Sequence, residues 1–384
     1  MHIGYITTEY PHKKLSPVGG IGTFIKNMAL KLTEKGHKVT IFLCLADNNQ
    51  IWNDDAIQIV EIGKVTNTFI PEFIASRYKI NKVIKTYIQS DNIDLIEAPD
   101  WEGLHAFCKF KIPLVTRIHG SATYFSNLTN RPYSKVMKFI ENRGFGNSNY
   151  IVSVSNYAAE KTKELFHLSS LNIKVIHLGT DLNKFQPSDQ KKEQKPPLLL
   201  HIGTLVRKKG VLDLPHIFNE IHNLHPEYEL LILGKDTIDS IANKSVWALM
   251  KESFTKKALS KVTYLGPVSS DVVKNYIASA TACVFTSYAE TFGLVTTESM
   301  AMEKPVIIYD FPWVREIINH NKDGILIESN NFIKSAQIIS ETLNDKVIMN
   351  TLGTNARQKV EEKFDLNKKF KENLEFYTKV INGK

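Results

Sequence analysis

Two α/β domains, each built around a parallel sheet of short buried strands, are what the sequence predicts, and three observations predict them. Short apolar runs alternate with segments of helical period through both halves of the chain. A polar stretch bounded by prolines divides the chain near its middle, and a fresh apolar run follows it at once. A chain of 384 residues, 43% of them apolar, is also longer than one hydrophobic core ordinarily serves.

In the first half, strands are predicted at residues 3–7, 39–43, 93–96, 114–118, 151–154 and 175–177, each short enough to lie buried in a parallel sheet. Between the first two, Phe24, Ile25, Met28 and Leu32 share one helical face, and Gly36 stands where a left-handed residue would end the helix. Its start is glycine-rich, Gly19-Gly20-Ile21-Gly22-Thr23, after a long loop from near Glu9. Residues 186–197 have almost no apolar content and read as a linker, giving domains over 1–185 and 186–365. Leu198-Leu199-Leu200-His201-Ile202-Gly203 then restarts the pattern, and strands recur at 230–233, 262–265, 283–286, 306–308 and 325–327, a second Rossmann-like unit. From Leu366 a helical stripe of Leu366, Phe370, Leu374, Tyr377 and Ile381 must be buried somewhere.

Composition excludes several classes. No run of roughly 18 apolar residues exists to span a membrane, and the opening residues form a strand rather than a signal peptide, so a cytoplasmic protein is expected. Cys44, Cys108 and Cys283 lie far apart, without the spacing of a disulfide framework or a zinc site. The formal net charge is +8, but its Lys and Arg are dispersed without interleaved aromatics, which argues against a nucleic-acid partner. Residues 1–185 hold 22 basic and 16 acidic residues, an excess of 22 − 16 = 6, against 26 − 24 = 2 for the rest. That bias would suit an anionic membrane face, although a solvated surface with no partner is the commoner explanation.

The segment running from Ser287 through Glu290, Phe292, Gly293, Leu294 and Glu298 to Met302 reads as strand, loop and helix. Gly293 lets backbone approach a ligand, and the amides opening the next helix favour an anion such as a diphosphate. Glu290 in the loop can reach sugar hydroxyls, and Glu298 in the helix can accept a ribose diol. With Pro305-Val306-Ile307-Ile308, Glu316, Asp323-Gly324-Ile325-Leu326-Ile327 and the earlier His177-Leu178-Gly179-Thr180-Asp181, this segment resembles the retaining glycosyltransferases of family 4 over nearly the whole chain.

That resemblance implies a GT-B fold, two Rossmann-like domains facing across a cleft, and transfer of a sugar from a nucleotide-diphosphate sugar to an acceptor hydroxyl. The acceptor implied is a cell-surface polysaccharide or a lipid-linked oligosaccharide, used at the inner face of the membrane. The resemblance places Phe292, Gly293, Leu294, Glu290 and Glu298 at the donor, and matches Lys209 to the lysine of a phosphate-binding Gly-Arg-Leu-x-x-x-Lys-Gly segment. Thr204 stands where that segment has its arginine, and Arg207, three residues on, is the candidate replacement. Gly19 and Gly20 with their helix start would complete the anion site, although tight βα turns use glycine for steric reasons alone. His119, at a strand end, would lie beside the reacting sugar and orient it, the leaving diphosphate taking the acceptor proton. Asp100 is read either as an acceptor contact or as a helix N-cap. The final helix, about 366–384, would pack back on the first domain and serve as part of a hinge.

No metal is expected, since no Asp-x-Asp pair follows a strand and Lys209, Arg207 and helix ends can meet the phosphate charge; no cofactor beyond the nucleotide-sugar substrate is expected either. Two other readings use the same architecture: a nucleotide-sugar 2-epimerase, and a binding protein without turnover. Neither would need the whole set His119, Lys209, Glu290 and Glu298.

Overall fold

The structure, a computed structural model, describes residues 1–13, 15, 19–66, 69–187 and 196–383. It divides into two units, Met1–Leu178 with Lys369–Lys384, and Gly179–Lys368. Among the described residues, no helix is long and apolar enough to cross a membrane.

The first unit contains strands β1 (His2–Thr7), β2 (Lys38–Ala46), β3 (Gln50–Asp54), β4 (Ile57–Gly63), β5 (Leu95–Pro99), β6 (Leu114–Ile118), β7 (Tyr150–Ser153) and β8 (Lys174–Val175) in the sheet order β3-β4-β2-β1-β5-β6-β7-β8. Neighbours are parallel except β3 and β4, which form an antiparallel hairpin at the edge. That hairpin was not anticipated, although Ile57, Ile59 and Val60 carry a strand-like pattern. The strand expected at 93–96 lies later, at Leu95–Pro99. The helix Gly20–Glu34 buries Phe24, Ile25, Met28 and Leu32 against the sheet and stops at Gly36, whose φ of 77° only glycine adopts readily.

The second unit contains β9 (Leu198–Ile202), β10 (Glu229–Leu233), β11 (Val262–Gly266), β12 (Ala282–Phe285), β13 (Val306–Tyr309) and β14 (Ile325–Ile327), all parallel, in the order β11-β10-β9-β12-β13-β14. Helix Leu214–Leu224 puts Ile217, Phe218 and Ile221 into its core with Leu230, Ile232 and Val284. In each sheet the strand order reverses, beside β1 in one and beside β9 in the other. The crevice outside the carboxyl ends at such a reversal is where open α/β sheets receive ligands.

The division falls at Leu178, ahead of the boundary that composition suggested at residue 185. Residues 188–195 of the expected linker lie outside the described residues. The boundary moves because the segment before the linker is tied into the second unit. Thr180 N donates to Phe364 O at 2.7 Å, Leu366 N donates to Thr180 O at 3.0 Å, and Arg357 Nη1 donates to Phe185 O at 2.8 Å. A Cβ on Gly179 would lie 2.6 Å from Leu366 Cα, so the sequence signature around Gly179 makes a close crossing of two chain segments.

From Lys369 the final helix, Leu366–Ile381, belongs to the first unit. Its Tyr377 hydroxyl lies 3.1 Å from that of Tyr5 and donates to Glu97 Oε2 at 3.0 Å. Arg117 donates from Nε and Nη2 to both Glu97 oxygens and from Nη2 to Asn373 Oδ1 at 2.6 Å. These contacts meet Nε and Nη2 of the buried guanidinium and both Glu97 oxygens, while Arg117 Nη1 is buried without a hydrogen-bond partner.

Candidate active site

In the second unit, two loops at the carboxyl ends of β9 and β12 are laced together. Tyr288 N and Ala289 N donate to Lys208 O at 2.9 and 3.3 Å, and Thr286 Oγ1 donates to Lys209 O at 3.1 Å. Only glycine permits this approach at position 210: φ is 61°, and a Cβ would sit 1.8 Å from Thr286 O. The lacing sets Lys209 against Glu290. Lys209 Nζ pairs with Glu290 Oε1, to which Ser287 Oγ also donates at 3.2 Å. Both side chains are largely shielded, 20% and 13% exposed. Neighbouring Lys208 has its ammonium pulled down to about 8 by burial, against the pull of Glu290.

Gly293, at φ 79°, turns the chain into the helix Leu294–Ala301, whose start carries no side-chain cap. Its Cα faces Trp313, with room for no more than a tight Cβ at 3.3 Å from the indole. Phe292 is buried edge-to-face on Phe364 at 5.3 Å, which anchors the loop from below. Leu294 opens the helix half-buried, and Glu298 lies one turn on. Burial pushes the Glu298 carboxyl up to about 7, with Lys184 opposing. Lys209, Glu290, Phe292, Gly293, Leu294 and Glu298 are therefore gathered on two adjoining loops and one helix start.

Arg207 stands in the short turn Arg207–Lys209 beside them, but its fork is engaged: Nε and Nη2 hold Asp239 at 2.5 and 3.0 Å. Asp239 is buried, and this pairing holds its carboxyl down at about 2. The candidate replacement for the missing arginine thus has two of its three guanidinium nitrogens committed to Asp239. Thr204 is exposed in the same loop.

In the first unit the glycine-rich helix start already holds an anion of its own chain. Glu9 accepts from Gly19 N at 2.9 Å and Gly22 N at 2.8 Å, while Gly20 is exposed beside them. The Gly19 amide expected at an anion site is thus capped by a carboxylate; residues 14 and 16–18 of that loop lie outside the described residues. His119 follows directly on β6, buried, with its ring 5.3 Å from that of Phe24. Burial first, then the Arg117 cation, pull its imidazole down to about 3, so it is neutral at any physiological pH.

Asp100 follows β5, and the capping expectation for it is corrected. It is 2% exposed and holds the N-cap position of the short turn Trp101–Gly103, but its side chain makes no capping hydrogen bond there. Its Oδ1 instead accepts from His119 N at 2.8 Å, fixing the backbone at the strand end, and burial pushes its carboxyl up to about 8. Sequence reasoning missed Asp239, Ser287 and Glu9. Only Ser287, three residues before Glu290, carried a local signal.

A family model described as Glycosyltransferase Family 4 matches residues 18–184, and one described as Glycosyl transferases group 1 matches residues 183–359. An uncharacterized glycosyltransferase of Methanocaldococcus jannaschii is 24% identical over 98% of both chains. The sucrose-phosphate synthase of Thermosynechococcus elongatus superposes over 100% of both chains with a TM-score of 0.82 at 20% identity. Anabaena HepE, solved in complex with UDP-glucose, covers 98% of this chain and 99% of its own with a TM-score of 0.73 at 18% identity. The chain belongs to family 4 of the glycosyltransferases and has the GT-B fold.

Proposed function

We propose that this glycosyltransferase moves a hexose from a nucleotide-diphosphate sugar to a hydroxyl of a glycan or lipid-linked acceptor, with retention at the anomeric carbon and without a metal ion. The observation that carries the reading is the Lys209–Glu290 pair set beside the uncapped start of helix Leu294–Ala301. A lysine and helix amides supply positive charge for a leaving diphosphate, and Glu290 supplies an acceptor for hydroxyls of the transferring sugar. Glu298, farther along the helix, would take the ribose diol. The uridine diphosphate glucose bound by the Anabaena protein supports a donor of this class.

In this reading the second unit binds donor and the first unit binds acceptor. His119 is too weak a base to remove a proton near neutrality, so it orients the transferring sugar, and the diphosphate oxygen that departs takes the acceptor proton. Asp100 is a positioning residue that acts through the His119 backbone.

The test is incubation of purified protein with a panel of nucleotide sugars and lipid-linked or oligosaccharide acceptors, with and without EDTA, followed by NMR of the product linkage. Transfer with an unchanged anomeric configuration and no loss in EDTA is expected. An epimerised donor in the absence of acceptor, or an inverted product, would overturn the reading.

A further inference from the structure

The helix Lys135–Asn147 buries Ile140, Glu141, Gly144 and Phe145, yet its outer face is not the polar surface a solvated helix normally shows. Val136 is 57% exposed and Phe139 62%, with Tyr133 just ahead at 39%. Around them stand Arg131, Lys135, Lys138 and Arg143, and Lys138 Nζ lies 5.3 Å over the Tyr133 ring. The one carboxylate between residues 131 and 149, Glu141, is turned inward, accepting from the Ala122 and Thr123 amides at 2.8 and 3.3 Å.

The face continues onto a second helix. Arg143 lies 5.2 Å over the Phe107 ring, and Phe107 stacks at 5.1 Å on Tyr78 of helix Glu72–Asp91. Tyr78 is 53% exposed, and Lys82 and Lys85 follow it at helical spacing on the exposed side. Single apolar rings scattered on a surface need no explanation, but rings set at intervals among cations, with the local carboxylate withdrawn, do.

We propose that this face rests on an anionic phospholipid bilayer, with Phe139, Val136, Tyr133 and Tyr78 entering the headgroup boundary and Lys135, Lys138, Arg143, Lys82 and Lys85 meeting lipid phosphates. A bilayer fits better than a protein partner because the apolar groups are interrupted by charge rather than joined into the dry centre that a stable protein interface needs. The excess of 22 basic over 16 acidic residues in positions 1–185 attracts the same surface. The proposal deepens the lipid-linked acceptor reading: it places the unit assigned to the acceptor at the membrane that would carry it.

The test is flotation of the full chain with vesicles of phosphatidylcholine alone and of equal parts phosphatidylcholine and phosphatidylglycerol, without acceptor. Binding to the mixed vesicles only, weakening with salt, is expected. Lys135→Ser and Lys138→Ser should each weaken it roughly fivefold, and Phe139→Ser should weaken it at low and high salt alike. Lys256→Ser with Lys257→Ser, which removes two charges from the second unit, should leave it intact, and a circular dichroism spectrum and unfolding midpoint matching the parent protein show that every variant is folded. Equal loss in that control, no preference for the anionic vesicles, or a Phe139→Ser change in sedimenting mass with vesicle binding unaltered would overturn the proposal. Absent vesicle binding with transfer to a soluble acceptor intact overturns this inference alone; present vesicle binding with no transfer overturns only the enzymatic reading.

Discussion

Glu298 is a carboxyl that burial holds at about 7, inside the working range of most enzymes. A ribose diol donates two hydrogen bonds to a carboxylate but finds a poorer acceptor in the protonated acid. Donor affinity should therefore tighten as pH rises from 6 to 8, by up to about tenfold. Titration calorimetry with a nucleotide sugar, whose diphosphate diester does not itself protonate there, checks this; Glu298→Gln should give a flat profile. Glu290→Ala should lower turnover by a hundredfold or more with the fold kept, since it removes contacts that tighten as charge develops on the sugar. Steady-state kinetics beside a circular dichroism spectrum would read both. Asp100 gives a pH effect of its own. As an acid with a raised folded-state value of about 8, it contributes stability present below its unfolded value near 4 and lost as pH climbs toward 8, about 1.4 kcal/mol per pH unit across that window. The difference in unfolding midpoint between Asp100→Asn and the parent protein should widen in the variant's favour from pH 5 to 7.5, and a difference that stays constant would remove the assignment.

At the scale of elements, the laced loops after β9 and β12 depend on Gly210. Gly210→Ala should break the Thr286–Lys209 approach, separate Lys209 from Glu290 and abolish nucleotide binding, which a thermal shift with UDP would show. Arg207→Ala leaves Asp239 buried with only the Ile241 and Ala242 amides and no countercharge, so it should cost roughly 1 to 3 kcal/mol of second-unit stability in addition to any effect on donor affinity. These elements also show what a sequence can disclose. Periodicity found the strands buried on both faces, because one apolar run suffices to mark each. It missed the β3–β4 hairpin, where Gln50, Asn53 and Asp54 make the edge strand polar and only β4 is buried. Local motifs singled out Glu290, Gly293 and Glu298, which sit within nine residues of each other. They could not reveal that Asp239 holds Arg207 from 32 residues away, or that Asp100 turns inward to the His119 amide from 19 residues away, because both depend on which strands become neighbours.

At the scale of the molecule, the segment that completes the first unit is encoded after the whole of the second. Phe370, Tyr377 and Val380 of that segment are buried, and Asn373 and Tyr377 share the polar cluster of Arg117 and Glu97. Deleting residues 369–384 should expose the first sheet and leave that ion pair short of partners, ending transfer while the second unit keeps part of its nucleotide binding. Limited proteolysis, with cuts confined to the first unit, would show it. The same arrangement imposes an order on synthesis. Domains usually fold as they leave the ribosome, first made, first folded. Here the first-made sheet must wait, with Arg117, Glu97 and Tyr5 unsealed, until about 190 further residues have been translated, so the second-made unit can reach its native state before the first. A nascent chain stalled before residue 369 has emerged should be protease-resistant over 179–368 and sensitive over 1–178, the reverse of the order in which the two were made.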